Sequence, residues 1–460
     1  MNSAATAFQP MVVANDFLPP GPRVLALRVR PWSRRNILEL FEEWALRYGD
    51  VCCYRTPCGP VCILRSARGA EDVLLATNCF VKGRGTLLNR RVMGNGLLTN
   101  TGSTWLQQRR LMQPAFCHDR IHDYAAAVTS YTATMLGRWK SGECLDLQTE
   151  LYRLTLEIVL KILFGAEVSD YAKDVDGIIS ALIREEEHSP IAKLLSGVLP
   201  SGTLRCFFAL RRLDTLIYTA IRQRRQRGGS NDLLSLLLAV RDQDGNAMSD
   251  RQVRDEVMTF MGAGSETTAL VLCYTLHLLS QNPEAAARLE AEVDGVLKGR
   301  SPRMEDLPQL AYTEKVIKES MRLLPTAWLI SREATERVEI GGFRFPAGTC
   351  FYLNVWSIQR DPRVYERPDH FEPERWSPDF IGRLPKFAYF PFGGGQRMCI
   401  GAGLAKVETA LILAAIVQRF RATPKAGWKL QLEPGLILRP RNGVWMNLQE
   451  RFRGKSPQLP

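Results

Sequence analysis

Between Trp105 and about Val296 the apolar side chains recur at intervals of three and four, with few prolines, which is the period of helices that bury one face. The clearest of these helices begins at Ser249, whose hydroxyl together with Gln252 three places on forms a capping-box pattern, and it runs to Gln281 before Asn282-Pro283 stops it. At ~1.5 Å per residue such a helix is about 50 Å long, enough to cross the whole molecule. Alternating patterns around turn residues are confined to the chain ends: Asp50 to Ser66, with a Pro-Gly turn, then about Val338 to Tyr352, and the C-terminal tail. The expected fold is therefore mainly α with small β-sheets (α+β). Residues 1–460 are expected to form a single helix-rich domain around a long central helix, with 1–17 as a poorly ordered lead and Leu18 to Arg23 (LPPGPR) as a stiff beginning.

Composition narrows the class. The chain has 460 residues, 45% of them hydrophobic, and a formal net charge of +12. Disorder is excluded by the apolar fraction, and no repeat or low-complexity segment interrupts it. The longest apolar runs, Leu270 to Leu279 and Ala410 to Val417, are shorter than the roughly 18 residues a bilayer requires, and the first charge, Asp16, is preceded by no basic lead. A cytoplasmic protein with no transmembrane anchor is expected, although Val24 to Trp32 could touch a membrane surface peripherally. The 11 cysteines read as reduced thiols. Four of them, Cys52, Cys53, Cys58 and Cys62, lack the paired knuckles of a zinc site and read as strand packing. The basic run Arg222 to Arg227 lacks interleaved aromatics, so it reads as a solvated helix end; no nucleic-acid partner is expected.

The segment with chemistry is Phe390 to Gly403, FPFGGGQRMCIGAG. Three consecutive glycines let a backbone approach a flat partner closely, and Cys399 precedes a helix expected to begin near Ala402. That helix N-terminus and Arg397 would both lower the thiol pKa. A phosphate loop would need a Lys-Ser/Thr ending that is missing here, while a glycine loop around a buried cysteine stays open. The long helix carries Ala263-Gly-Ser-Glu-Thr-Thr268 at its middle. Gly262 and Gly264 each cost about 1 kcal/mol there relative to Ala. Thr267 can bond back to the carbonyl four residues earlier and loosen the turn.

Phe392, Gly395, Arg397, Cys399 and Gly401 fill every specified place of F-x-x-G-x-R-x-C-x-G, and the segment resembles the haem-thiolate loop of the cytochrome P450 family. The family's other pieces follow in order: Trp105 and Arg109 (W-x-x-x-R), the acid-alcohol pair Glu266-Thr267, Glu319 and Arg322 (E-x-x-R), and Arg375 in FEPERW. The resemblance spans about Phe17 to the tail. It implies haem b with Cys399 as axial thiolate and metal ligand, and cofactor binding by Trp105, Arg109, Arg332 and Arg397. It implies a buried structural network of Glu319, Arg322 and Arg375, where removing one member would cost ~3–5 kcal/mol. Catalytic proton delivery falls to Glu266 and Thr267. One departure is Ile358-Gln359-Arg360, where the family often has histidine; no functional loss is attached to it.

The implied reaction inserts one atom of dioxygen into a small hydrophobic substrate, a terpenoid or a fatty acid. Ala263, Thr326, Ala327, Trp328 and Leu329 are expected in the pocket, with Trp328 narrowing the space over the ring. Further lining is expected from Gly83 to Leu98, about Ile178 to Phe208 and the tail near Val444, and Arg90 or Arg91 could hold a carboxylate. The alternatives are a haem-thiolate peroxygenase or isomerase, or a non-catalytic haem sensor; Glu266-Thr267 argues against each. About 60 residues follow the loop, too few for a reductase, so a separate ferredoxin or flavodoxin and its reductase are implied. A monomer is expected.

Overall fold

The computed structural model describes residues 18–22, 37–56, 59–76, 78–83, 90–165, 201–228, 232–241 and 244–451. The expected lead 1–17, the surface-touching stretch 24–32, Cys58, and most of the expected pocket lining at 178–208 lie outside the described residues, as does the side chain of Arg91.

The long helix forms where its caps predict, over Asp250–Gln281, with the Ser249 Oγ accepting from the Gln252 N–H at 3.2 Å. It packs along the helix Leu147–Phe164, where the Thr155 hydroxyl donates to the Ser265 carbonyl at 2.8 Å. Leu151, Leu154 and Ile158 from that neighbour, Val257 and Leu272 from the long helix, and Ile412, Leu413 and Ile416 from the helix Ala402–Arg419 are all buried in one core. Burying a side chain of this kind contributes ~1.5–3 kcal/mol, so the interlocked stripes of these helices dominate the fold's stability.

The largest sheet has the order β1-β2-β8-β5-β3, with β1 Val51–Thr56, β2 Gly59–Leu64, β3 Phe80–Lys82, β5 Leu329–Ala334 and β8 Cys350–Asn354. Its β2–β8 pair is parallel and the others are antiparallel. The hairpins β6 (Val338–Ile340) with β7 (Phe343–Phe345), and β10 (Leu432–Pro434) with β11 (Leu438–Pro440), stand alone. A third sheet has the order β4-β12-β9 and joins Cys144–Asp146 (β4) to Trp445–Glu450 (β12) and Phe420–Pro424 (β9). The helical reading of 105–296 passes over β4, because three residues show no period of their own and this strand exists through a partner 300 positions away. The basic run ends the helix Ser201–Arg227, as expected of a helix end. Two of its arginines are nevertheless paired, Arg224 with Asp232 at 2.6 Å and Arg225 with Asp250 at 2.7 Å.

Candidate active site

The glycine loop is closed on itself before it reaches its cysteine. The Cys399 N–H donates to the Phe392 carbonyl at 2.9 Å, and the Met398 N–H to Gly395. Two glycines here are required by backbone geometry: Gly393 and Gly395 have φ of 70° and 64°. Gly394 is required by space, since a Cβ would lie 2.1 Å from the Phe387 ring. The helix that follows starts at Ala402, and Gly403 lets it approach the Ile121 side chain.

Cys399 is accessible, yet the surrounding loop desolvates it. That burial pushes its thiol pKa up, against the Gly401 N–H and the Arg109 guanidinium, which pull it down. The expectation of a lowered thiol pKa is thereby corrected: desolvation outweighs the helix end, and Arg109 takes the part given to Arg397. A coordinated metal would reverse this direction, because ligation deprotonates a thiol outright.

Trp105 and Arg109 share a face of the helix Gly102–Met112. The Trp105 indole is buried beneath Arg397, whose Cζ sits 4.2 Å from the ring centroid, and Arg109 donates to the Met398 carbonyl at 2.8 Å. Arg332 on β5 lies directly opposite Lys82 on β3. Like charges facing across a sheet are destabilising unless an anion sits with them. Lys82 is pushed down to about 7 by burial and by Arg397 and Arg332, and Arg332 to about 10 by burial and Arg397. Burial also lowers Arg397 and Arg109. Among the described residues none of these four cations has an ion-pair partner; only Glu256 pulls Lys82 the other way. The cluster is shaped for carboxylates that the described residues do not supply. A haem presents carboxylates of that kind, and the thiol and the close-packed glycine backbone lie beside the cluster, so the residues fit that group.

The middle of the long helix is less covered than the rest. Within a helix otherwise largely buried, Ala263 is exposed and Gly262, Gly264, Glu266 and Thr267 are half-buried. Thr267 donates back to the Ala263 carbonyl at 2.7 Å, as the sequence predicts. No local pattern marks Arg439 on β11, which grips Glu266 with both arms of its fork; its Nη2 reaches Oε2 at 2.8 Å. The tail thus meets this turn through Arg439, while Val444 is buried in the core. Trp328 is also engaged elsewhere: its ring is 6.1 Å from that of Phe41, and its indole N–H donates to the Gly435 carbonyl. Thr326 is buried, and Ala327 and Leu329 are half-buried. Arg90 donates to the Thr99 carbonyl at 3.1 Å.

Glu319 and Arg322, both fully buried, form a two-pronged pair at 2.8 and 2.9 Å. Glu319 also accepts from Arg375 at 3.3 Å, from the Trp376 indole at 3.0 Å and from the Glu372 N–H at 3.0 Å. The three expected members meet as one network, and Trp376 and Glu372 join it. Gln359, at the position of the departure, completes the same support. The helix Ala311–Leu323 ends with three carbonyls, those of Met321, Arg322 and Leu323, that lack helical donors. Leu324 N–H serves Ser320, the Gln359 amide serves Met321 and Arg322 at 2.9 and 3.2 Å, and Arg360 serves Leu323. The Gln359 Oε1 accepts from the Phe390 N–H at 3.1 Å, so one buried side chain ties the Glu319 helix to the start of the glycine loop.

No described helix is long and apolar enough to cross a membrane. Residues 19–446 match the family described as Cytochrome P450. The chain is 38% identical to cyclooctat-9-en-7-ol 5-monooxygenase of Streptomyces melanosporofaciens, over 78% of this chain and 80% of that protein. It is 34% identical to pentalenene oxygenase of Streptomyces avermitilis, over 86% and 85%. Among solved structures it superposes on the cytochrome P450DA haem domain with a TM-score of 0.85 at 24% identity, covering 95% of this chain and 98% of that one. Retinoic-acid-bound cyanobacterial CYP120A1 gives 0.85 at 23%, covering 94% and 99%.

Proposed function

The chain belongs to the cytochrome P450 family, and from that premise we propose that it oxidises a polycyclic terpenoid, with Cys399 as the haem ligand and Glu266 and Thr267 handling the protons. The enzyme class and cofactor follow from the family: a haem-thiolate monooxygenase. When bound, haem supplies the reductive activation of dioxygen from which one oxygen atom is inserted into substrate.

The observation that carries the assignment is the conjunction of an accessible thiol, four cations without ion pairs among the described residues, and a less covered helical turn. Cys399 donates its sulfur. Arg109, Arg332 and Arg397 bind the haem carboxylates, and Trp105 holds Arg397 in place. Gly393, Gly394 and Gly395 keep side chains out of the approach, beside Phe392 and Gly401. Glu319, Arg322 and Arg375 fix the loop from below. The Thr267 hydroxyl, bonded to the Ala263 carbonyl, passes its one proton on when its O–H turns away from that acceptor. Glu266 refills it from solvent when it swings off Arg439.

The substrate lies against Ala263, Thr326, Ala327 and Leu329. A terpenoid is favoured over a fatty acid because the relatives above are named for oxidising cyclooctat-9-en-7-ol and pentalenene. Electrons come from a separate ferredoxin or flavodoxin and its reductase, in the cytoplasm. The partner docks at exposed Arg110 and Lys406, which flank exposed Leu106 and Met398 near the thiol. The test is a panel of polycyclic terpenes and fatty acids screened for shifts of the haem absorbance, followed by turnover under labelled dioxygen. One labelled oxygen in a terpenoid product is expected. Cys399→Ala should abolish the thiolate-type band of the reduced carbon monoxide complex; its persistence would overturn the ligand assignment.

A further inference from the structure

Two thiols lie side by side inside the large sheet, apart from the active site. Cys53 on β1 and Cys62 on β2 are direct partners in the antiparallel register, 5% and 0% exposed. The Cys62 S–H donates to the Cys53 sulfur, with the two sulfurs 2.6 Å apart. Residues opposite one another in an antiparallel pair hold their Cα atoms ~4.5–5.5 Å apart, within the ~4.4–6.8 Å that a disulfide spans. Such a bond would therefore need no movement of the backbone. The segment before β1 shields the pair: the Cys53 N–H donates to the Pro20 carbonyl at 3.2 Å, and Gly21 packs so closely that a Cβ would sit 1.8 Å from the Cys53 carbonyl oxygen.

We propose that Cys53 and Cys62 form a reversible cross-strand disulfide when the enzyme meets hydrogen peroxide, so that this pair is an oxidative modification site of the sheet that carries Arg332. Cys53 is the more exposed of the two and accepts the hydrogen bond from Cys62, which favours its thiolate, so Cys53 is the nucleophile and Cys62 the resolving thiol. The Cys53 thiolate attacks one peroxide oxygen and the O–O bond breaks, leaving Cys53 as sulfenic acid and releasing hydroxide, which takes a proton to become water. The Cys62 sulfur then attacks the Cys53 sulfur. The S–O bond breaks, and the departing oxygen leaves as water with the Cys62 proton. Two thiols lose two electrons and one peroxide becomes two waters. Peroxide is the product when dioxygen takes two electrons and two protons without insertion, so it arises where this protein works. The bond would close a ten-residue loop and join β1 covalently to β2, which pairs with β8 and, through it, with β5.

Trypsin separates the two thiols, because Arg55 lies between them: Cys53 falls in Tyr48–Arg55 with Cys52, and Cys62 in Thr56–Arg65 with Cys58. Purified holoenzyme is treated with hydrogen peroxide, quenched with catalase, unfolded in N-ethylmaleimide, digested and weighed. The expected result is the two peptides joined, two hydrogens lighter than the sum of the same peptides each alkylated once, at Cys52 and at Cys58, with fragmentation placing the link at Cys53 and Cys62, and separated again by dithiothreitol. Treated wild-type protein should also melt about 5 °C higher than untreated. Cys62→Ser should lose both the link and the shift, whereas a Cys52→Ser, Cys58→Ser double variant should keep both. Full alkylation of both peptides after peroxide, oxidation stopping at sulfinic acid on Cys53, or a link that survives Cys62→Ser would each overturn the proposal. The first two outcomes are read on wild-type protein and do not depend on a variant folding.

Discussion

Replacing Gln359 by Leu tests whether one buried amide holds the underside of the haem loop. The side chain is fully buried and makes three hydrogen bonds, to the carbonyls of Met321 and Arg322 and from the N–H of Phe390. Leu fills similar space and can make none of them. Three buried backbone groups would be left without partners, at ~1–3 kcal/mol each. The lower end of that range is appropriate, because the added apolar surface returns part of the loss, so the net cost is about 3 kcal/mol. In a protein whose whole stability is of the order of 5–15 kcal/mol, that is a large share. At ~2 °C per kcal/mol for a large domain, the melting midpoint should fall by about 6 °C. The assay is thermal melting of the holoprotein followed by far-ultraviolet circular dichroism, with the haem-to-protein absorbance ratio measured on the same samples, since the Phe390 bond is lost together with the cap. Gln359→His keeps a donor and an acceptor and should lose less than half as much. A midpoint within 2 °C of wild type for Gln359→Leu would refute the reasoning and leave Arg360 as the effective cap.

Thr267→Ala should keep the haem spectrum while diverting electrons to peroxide, so the ratio of product to reductant consumed falls several-fold; an unchanged ratio would place the proton route elsewhere. Glu408, buried beside Thr268, is pushed up to about 8 by burial, and Glu256 likewise. The native state therefore keeps protons that the unfolded chain, with carboxyl pKa values near 4.5, releases. Stability should fall as pH rises from about 5 to about 8, and Glu408→Gln should flatten part of that slope in urea melts at a series of pH values. Charge reversal at Arg110 or Lys406 should slow reduction by an acidic ferredoxin at low salt and leave substrate-induced spectral shifts unchanged. The difference should vanish as the screening length shrinks below ~10 Å, and rates flat across the salt series would argue against docking there.

What could be read from the chain and what could not divide along the range of the interactions. Ser249 and Asn282-Pro283 bound the long helix within one residue, because caps act on their own neighbours. Glu319 with Arg322, Trp105 with Arg109, and Thr267 with Ala263 are three or four apart on helices, so spacing alone puts them on one face. Arg439 against Glu266 lies 173 positions away, and Lys82 against Arg332 lies 250 positions away; neither pair leaves a mark in any local window. Gln359 was visible only as a departure from a resembled pattern, and its three partners explain why an amide can stand there. The Cys399 thiol shifts against the direction its helix end implies for a related reason: helix ends can be located in a sequence, whereas desolvation depends on how the loop folds around the sulfur.

The pairing of β4 with β12 has a consequence during synthesis. Cys144–Asp146 leaves the ribosome about 300 residues before its partner strand Trp445–Glu450 is made. Until then, the N-terminal end of the helix Leu147–Phe164 has no sheet to rest on, and Leu147 lacks the carbonyl of Val444 that receives its N–H. Non-local pairings of this kind set the slow steps of folding and leave partly formed cores exposed in the interval. A chain released just before residue 445 should therefore remain protease-sensitive around 140–165, and one released after residue 451 should not. For this molecule the late arrival of β12 acts as the clasp of the helical core.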